Sequence, residues 1–151
     1  MAAEPFVVYI WAPRHRRRAV RGGGSPRVNR GRVLIVEDEP DLAWVERFNL
    51  ETEGYEVKWA PEGRAALSAL DDFKPQVLVL DLMLPHVDGW AVLEKALQIP
   101  GPRRPKIIVV SAVAGMEEKM NAEHEGVGQF LTKPFEMEDL LRLVADALRA
   151  A

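Results

Sequence analysis

Five side chains in this 151-residue sequence have the types and placements to do chemistry together: the adjacent acids Glu37 and Asp38, then Asp81, Ser111 and Lys133. Each stands at or just beyond the end of a short apolar run, and the runs are Val33 to Val36, Val77 to Leu80, Ile107 to Val110 and Phe130 to Leu131. If those run ends meet in space, three carboxylates converge with a hydroxyl and an ammonium. Two carboxylates about 4 Å apart repel by about 4 kcal/mol at an effective dielectric near 20, so the group calls for a cation. The chain has no Cys and only three scattered His (His15, His86, His124), which argues against zinc. An all-oxygen donor set favours Mg²⁺ or Mn²⁺, with room left for waters and a phosphoryl oxygen.

The elements that would position these groups follow from the pattern of apolar residues. With Val57 to Trp59 added, there are five short strand candidates from Arg32 onward. Between and after them lie segments with apolar residues three or four apart: Pro40 to Glu53, Glu62 to Asp72, Val87 to Gln98, Met116 to Glu125 and Glu136 to Arg149. In the first of these the apolar stripe reads Leu42, Val45 and Phe48. Strict alternation of strand and helix, with the third and fourth strands apolar throughout, calls for a parallel sheet with right-handed crossovers. The expected fold is a doubly wound α/β domain of five parallel strands and five helices. Ligands bind such sheets beyond the carboxyl ends of the strands, where the five chemical groups fall.

Charge divides the chain. Residues 1–32 hold eight Arg and one acid, whereas residues 33–151 hold 12 basic and 22 acidic residues, so the beginning is about +7 and the body about −10. The cluster Arg14, Arg16, Arg17, Arg18 and Arg21 is interleaved with Gly and Pro and has no hydrophobic period, so residues 1–31 read as a flexible basic extension before a domain at 32–151. The longest early apolar run, Phe6 to Ala12, is far short of the roughly 20 residues that cross a bilayer. No membrane segment is expected, and the absence of Cys suits the cytoplasm.

The stretches VLIVEDEPDL, VLVLDLMLPHVDGW, VVSA and FLTKPF resemble the four signature stretches of the response-regulator receiver family, and the likeness extends over about residues 32–150. The resemblance implies a flavodoxin-like fold, two-component signalling and Mg²⁺-dependent phosphorylation on Asp81. It further implies that Glu37, Asp38, Asp81 and the backbone carbonyl of Met83 hold the metal or its waters. Lys133 would pair with the phosphoryl group, Ser111 would hydrogen-bond to it, and Ser111 with Phe130 would form the switch. A carboxylate is a competent nucleophile toward an activated phosphoryl group, with positioning and charge neutralisation as the main catalytic devices. The expected chemistry is limited to the chain's own phosphorylation and dephosphorylation, so it is not an enzyme in the ordinary sense.

Alternative readings exist for each group. Glu37 and Asp38 also suit a helix start through the macrodipole, Asp81 could cap the loop that follows, and core packing alone would justify Phe130. Many family members carry Tyr where Phe130 stands, and Gly126-Val127-Gly128-Gln129 lacks the acids often found there, which leaves either a monomer or a weak homodimer. Asn49 replaces an expected apolar residue and is assigned to the solvent edge of the first helix. A flavin carrier would want a Gly/Ser/Thr-rich loop where Glu37 to Glu39 stand, and an aspartyl phosphatase would want an acid where Met83 stands. Because the sequence ends with the fifth helix, a stand-alone receiver is expected. It would take its phosphoryl group from a histidine kinase or phosphotransfer protein and signal to an unknown target protein, with no nucleic acid bound by the folded domain. A phosphorylation-independent adaptor and a fragment of a larger transcription regulator are the alternatives.

Overall fold

β-branched and leucine-rich runs pair edge to edge in the order β2-β1-β3-β4-β5, all parallel, with β1 at Arg32–Val36, β2 at Glu56–Ala60, β3 at Val77–Asp81, β4 at Lys106–Ser111 and β5 at Gln129–Thr132. The computed structural model describes residues 29–84, 89–113, 115 and 127–149. Its helices are α1 (Pro40–Thr52), α2 (Gly63–Asp72), α3 (Gly89–Gln98) and α4 (Met137–Arg149), with a short 3₁₀ turn at Gly101–Arg103. The helix expected at Met116 to Glu125 lies outside the described residues, as does the extension over 1–31 apart from its last three. Of those three, Arg30 donates its backbone N–H to Gly54 O at 3.0 Å and lays its guanidinium over the Tyr55 ring.

The order in which the strands lie leaves β1, β3 and β4 inside the sheet, so their alternating side chains are buried on both faces. Leu34, Val36, Leu78, Leu80, Ile107 and Val109 meet α2 and α3 on one face. Val33, Ile35, Val77, Val79, Ile108 and Val110 meet Leu50 of α1 and Leu140 and Val144 of α4 on the other. Each such aliphatic side chain contributes about 1.5–3 kcal/mol by burial, which holds the strand ends in register. Gly54, at φ +101°, ends α1 with its N–H on Glu51 O, a turn that non-glycine residues adopt rarely.

α1 departs from its sequence pattern. Its buried positions are Ala43, Glu46, Asn49 and Leu50, whereas Leu42, Val45 and Phe48 are only half-buried and Trp44 is exposed. The helix is therefore rotated by about one residue, or roughly 100°, from the stripe that the apolar residues suggest. Asn49 is not at the solvent edge. It is 7% exposed and turns its Nδ2 back to Val45 O at 2.8 Å, which satisfies the amide within the helix. Stacking of Trp44 on Phe48, with centroids 5.3 Å apart, compensates outside for what the helix lacks inside.

Candidate functional site

At the carboxyl ends of the central strands the chain leaves the sheet with its polar groups exposed to one another. Glu37 follows β1, Asp81 and Ser111 end β3 and β4, and Lys133 follows β5. The Lys133 N–H donates to Ser111 O at 2.9 Å, which extends the β4–β5 ladder and carries the lysine toward the acids; the Lys133–Pro134 peptide is cis. Lys133 Nζ then lies 2.9 Å from Asp81 Oδ2 and 2.9 Å from Glu37 Oε2. Asp81 Oδ1 accepts the Met83 N–H at 2.9 Å, and Glu37 Oε1 accepts the Glu39 N–H at 3.2 Å. The indole Nε1 of Trp59 donates to Glu37 O at 2.7 Å and ties β2 to the same loop.

Glu37 and Asp81 are almost fully buried, which makes their charges expensive without partners. Burial raises the Glu37 pKa, and the bond and charge of Lys133 and the Glu39 N–H only partly oppose that. Burial alone would lower the Lys133 pKa, but its hydrogen bonds to Asp81 and Glu37 and their charges outweigh it and fix the ammonium form. Three carboxylates and one ammonium leave the group with a formal charge of −2.

One oxygen each from Glu37, Asp38 and Asp81 lies within 4.8 Å of the others. Oxygens bound to one Mg²⁺ ion stand about 3 to 4.2 Å apart, so this set could close on one ion through side-chain movements on the order of an ångström. The donor set therefore fits a hard divalent cation. Ser111 is buried and its Oγ accepts the Val113 N–H at 3.0 Å, which fixes the hydroxyl beside the loop after β4. Met83 is the exposed residue two beyond Asp81. Phe130 pairs with Val109 in register and packs half-buried on the face that contains Leu78 and Leu80.

Two features escape a reading of the sequence alone. Gly89 opens α3 directly against the Asp81–Leu82 backbone, where an added Cβ would meet Leu82 Cα and O at 2.6 Å. Glu46 points from α1 into the core at 1% exposure, with Oε2 lacking a hydrogen bond among the described residues. Burial pushes its pKa up to about 8, the charge of Glu37 adding to the rise, Lys133 opposing it and Asp81 again adding. Its spacing from Ala43 and Leu50, three and four residues, was the available signal.

The chain matches the response regulator receiver domain over residues 33–145. It is 31% identical over 118 residues to the DNA-binding dual master transcriptional regulator RpaA of Synechocystis, covering 78% of this chain and 49% of that protein. It is 33% identical to the transcriptional regulatory protein TrcR of Mycobacterium tuberculosis, covering 84% and 51%. Among solved structures, a CheY-like response regulator receiver domain protein from Methanospirillum hungatei superposes with a TM-score of 0.72 at 28% identity, over 80% of this chain and 94% of that one. The receiver domain of sensor histidine kinase PA1611 from Pseudomonas aeruginosa, whose structure has a magnesium ion coordinated in the active site cleft, superposes at 0.68 with 26% identity, over 78% and 97%. The fold and the acidic strand ends define a receiver, and the chain belongs to the response regulator receiver domain family of two-component signal transduction. It spans about half the length of the two transcription regulators named above.

Proposed function

We propose that residues 32–151 form a phosphorylatable receiver in which Asp81 takes a phosphoryl group from a histidine kinase or phosphotransfer protein in the cytoplasm. The observation that carries this reading is the triangle of Lys133 with Asp81 and Glu37, beside Asp38, at the carboxyl edge of the sheet. An Asp81 carboxylate oxygen forms the new P–O bond as the donor's bond to phosphorus breaks, leaving an acyl phosphate. The Met83 N–H on Oδ1 and Lys133 on Oδ2 orient that carboxylate before attack. Lys133, already cationic, offsets the charge on the equatorial phosphoryl oxygens, and Ser111 stands at the end of the neighbouring strand as a donor for one of them. Glu37, Asp38, Asp81 and the Met83 carbonyl would hold Mg²⁺, which when bound supplies further charge neutralisation for the transfer.

Output would follow from movement of Ser111 and its loop toward the phosphoryl group, with Phe130 turning as space opens. With Phe in place of Tyr, that switch is steric and is read by a target protein. On this reading the chain catalyses only its own phosphoryl transfer and hydrolysis. The test is intact-mass spectrometry after incubation with acetyl phosphate. One Mg²⁺-dependent phosphoryl adduct, absent in Asp81→Asn, supports the reading; no adduct where another receiver reacts replaces it with a phosphorylation-independent adaptor.

A second reading rests on coverage. The regulators named above are about twice as long as the matched region, so the same receiver could serve as the input part of a transcription regulator. The length of the natural protein on an immunoblot distinguishes the two.

A further inference from the structure

The edge of the sheet opposite the acidic site contains a cavity of about 680 Å³, formed between the amino ends of β1 and β4, the carboxyl ends of α2 and α4, and the loop after α3. Five cations line it: Arg32, Lys74, Arg103, Arg104 and Lys106. The acid among its lining residues is Asp71, whose Oδ2 is already held by Lys95 at 2.7 Å. None of the five cations forms an ion pair with a described carboxylate. Four of the twelve basic residues in the −10 body, with Arg32 beside them, are thus gathered around one concavity without a paired carboxylate among the described residues.

Two of the cations are braced rather than neutralised. Arg32 Nε donates to Lys74 O at 3.0 Å, and Arg104 Nε donates to Ile99 O at 3.1 Å, which leaves the outer guanidinium nitrogens available. Lys74 occupies the left-handed region at φ +50°, a conformation that lysine adopts rarely. Beside the cations, Asp71 and Gln76, the lining is made of apolar residues and glycine, with Leu70, Ile99, Pro100, Pro105 and Leu148 among its walls. A cationic rim over an apolar floor matches an anion with a flat hydrophobic body and clustered negative charge, and arginine's fork suits phosphate in particular. The chain's own leading segment is a poor occupant, because residues 1–32 carry about +7.

We propose that this cavity binds a small organic polyphosphate, of the nucleoside di- or triphosphate type, with the ring against Ile99 and Pro100 and the phosphates among Arg103, Arg104 and Lys106. The site is independent of phosphorylation at Asp81. Its concave shape and apolar walls favour a small ligand over a nucleic-acid strand, which would engage an open charged surface.

The test uses the full 151-residue chain, ¹⁵N-labelled, titrated with ATP in the presence of a chelator so that no metal can bridge ATP to the acidic edge. Expected are saturable amide shifts at Lys74, Ile99, Gly101, Arg103, Arg104, Lys106 and Leu148, with affinity at least about tenfold weaker in the double variant Arg103→Glu with Lys106→Glu. Both substituted side chains are exposed, and an unchanged far-UV spectrum and melting curve establish that the variant is folded. Inorganic pyrophosphate should bind more weakly than ATP, because it leaves the apolar walls unused. The proposal is overturned by an absence of shifts up to about 5 mM ATP, by affinity that survives the charge reversal, or by equal binding of pyrophosphate. A single-stranded oligonucleotide that moves these amides where ATP does not would also overturn it, making the edge a nucleic-acid surface.

Discussion

Lys133 Nζ lies 2.9 Å from Asp81 Oδ2 although the two residues are 52 positions apart, and the same ammonium reaches Glu37 at 2.9 Å. One side chain thus compensates two buried acids that arrive on different strands.

Removing that ammonium isolates the acids. Lys133→Met should lower unfolding free energy by about 3 kcal/mol in metal-free buffer, the usual cost of breaking a buried pair from one side. Millimolar Mg²⁺ should recover most of the loss, because it restores a positive charge among the same oxygens. Urea unfolding with and without Mg²⁺ measures both. Equal stability of wild type and variant without metal would contradict the compensating role.

Mg²⁺ should also stabilise the wild type by linkage, by about 2.7 kcal/mol at a hundred times its dissociation constant. The gain should vanish in Asp38→Asn with Asp81→Asn, since two of the three carboxylates then lose their charge. Thermal melts across a Mg²⁺ series decide the matter, and a gain retained in the double variant places the cation elsewhere.

Glu46 makes stability depend on pH in a defined direction. Its folded pKa of about 8 lies above the ordinary 4.5, so between those values the folded chain keeps a proton that the unfolded chain has released. Its contribution is therefore intact below about pH 4.5, declines by about 1.4 kcal/mol per pH unit up to 8, and levels off beyond. Glu46→Leu, close in volume, should flatten that decline and raise stability by several kcal/mol at pH 8, with a much smaller gain at pH 5. Parallel urea titrations at the two pH values are the check, and an equal gain at both would show that ionisation is not the cause.

Gly89→Ala should disturb the site without touching a charged group. The new methyl carbon would stand 2.6 Å from Leu82 backbone atoms, so the Asp81–Leu82 segment or the start of α3 has to move, at a cost of about 1–3 kcal/mol. Slower phosphorylation by acetyl phosphate should accompany the lower melting temperature. A variant with wild-type values for both would mean that α3 relocates freely.

The strands are legible because β1, β3 and β4 are runs of aliphatic residues bounded by polar groups, and four of the five run ends coincide with the chemistry-bearing residues. Glu37, Asp81 and Lys133 could therefore be placed on one edge before any geometry was known. α1 hides its orientation because Glu46 and Asn49 occupy its core face while Trp44 is exposed and Phe48 only half-buried, so hydrophobicity alone selects the wrong stripe. The basic cavity leaves no linear motif, as Arg32, Lys74, Arg103 and Leu148 come from four separate parts of the chain. Gly89 looks like an ordinary loop glycine until the backbone of Leu82 is seen against it.

The inverted polarity of α1 has a consequence for how the molecule fluctuates. Detaching this helix returns Glu46 and Asn49 to water, so of its four buried side chains only Ala43 and Leu50 are apolar ones that resist release, beside the sheet face that any departing helix uncovers. α4, which presents Leu140, Leu141, Val144 and Ala147 to the core, has no such relief. On this face of the sheet, opening should therefore start at α1, and its amides should exchange with deuterium before those of α4 and the central strands. Of the two helices described on this face, the one that follows the acidic pair is thus the nearer to release, on a timescale set by its own weaker attachment rather than by the stability of the whole domain.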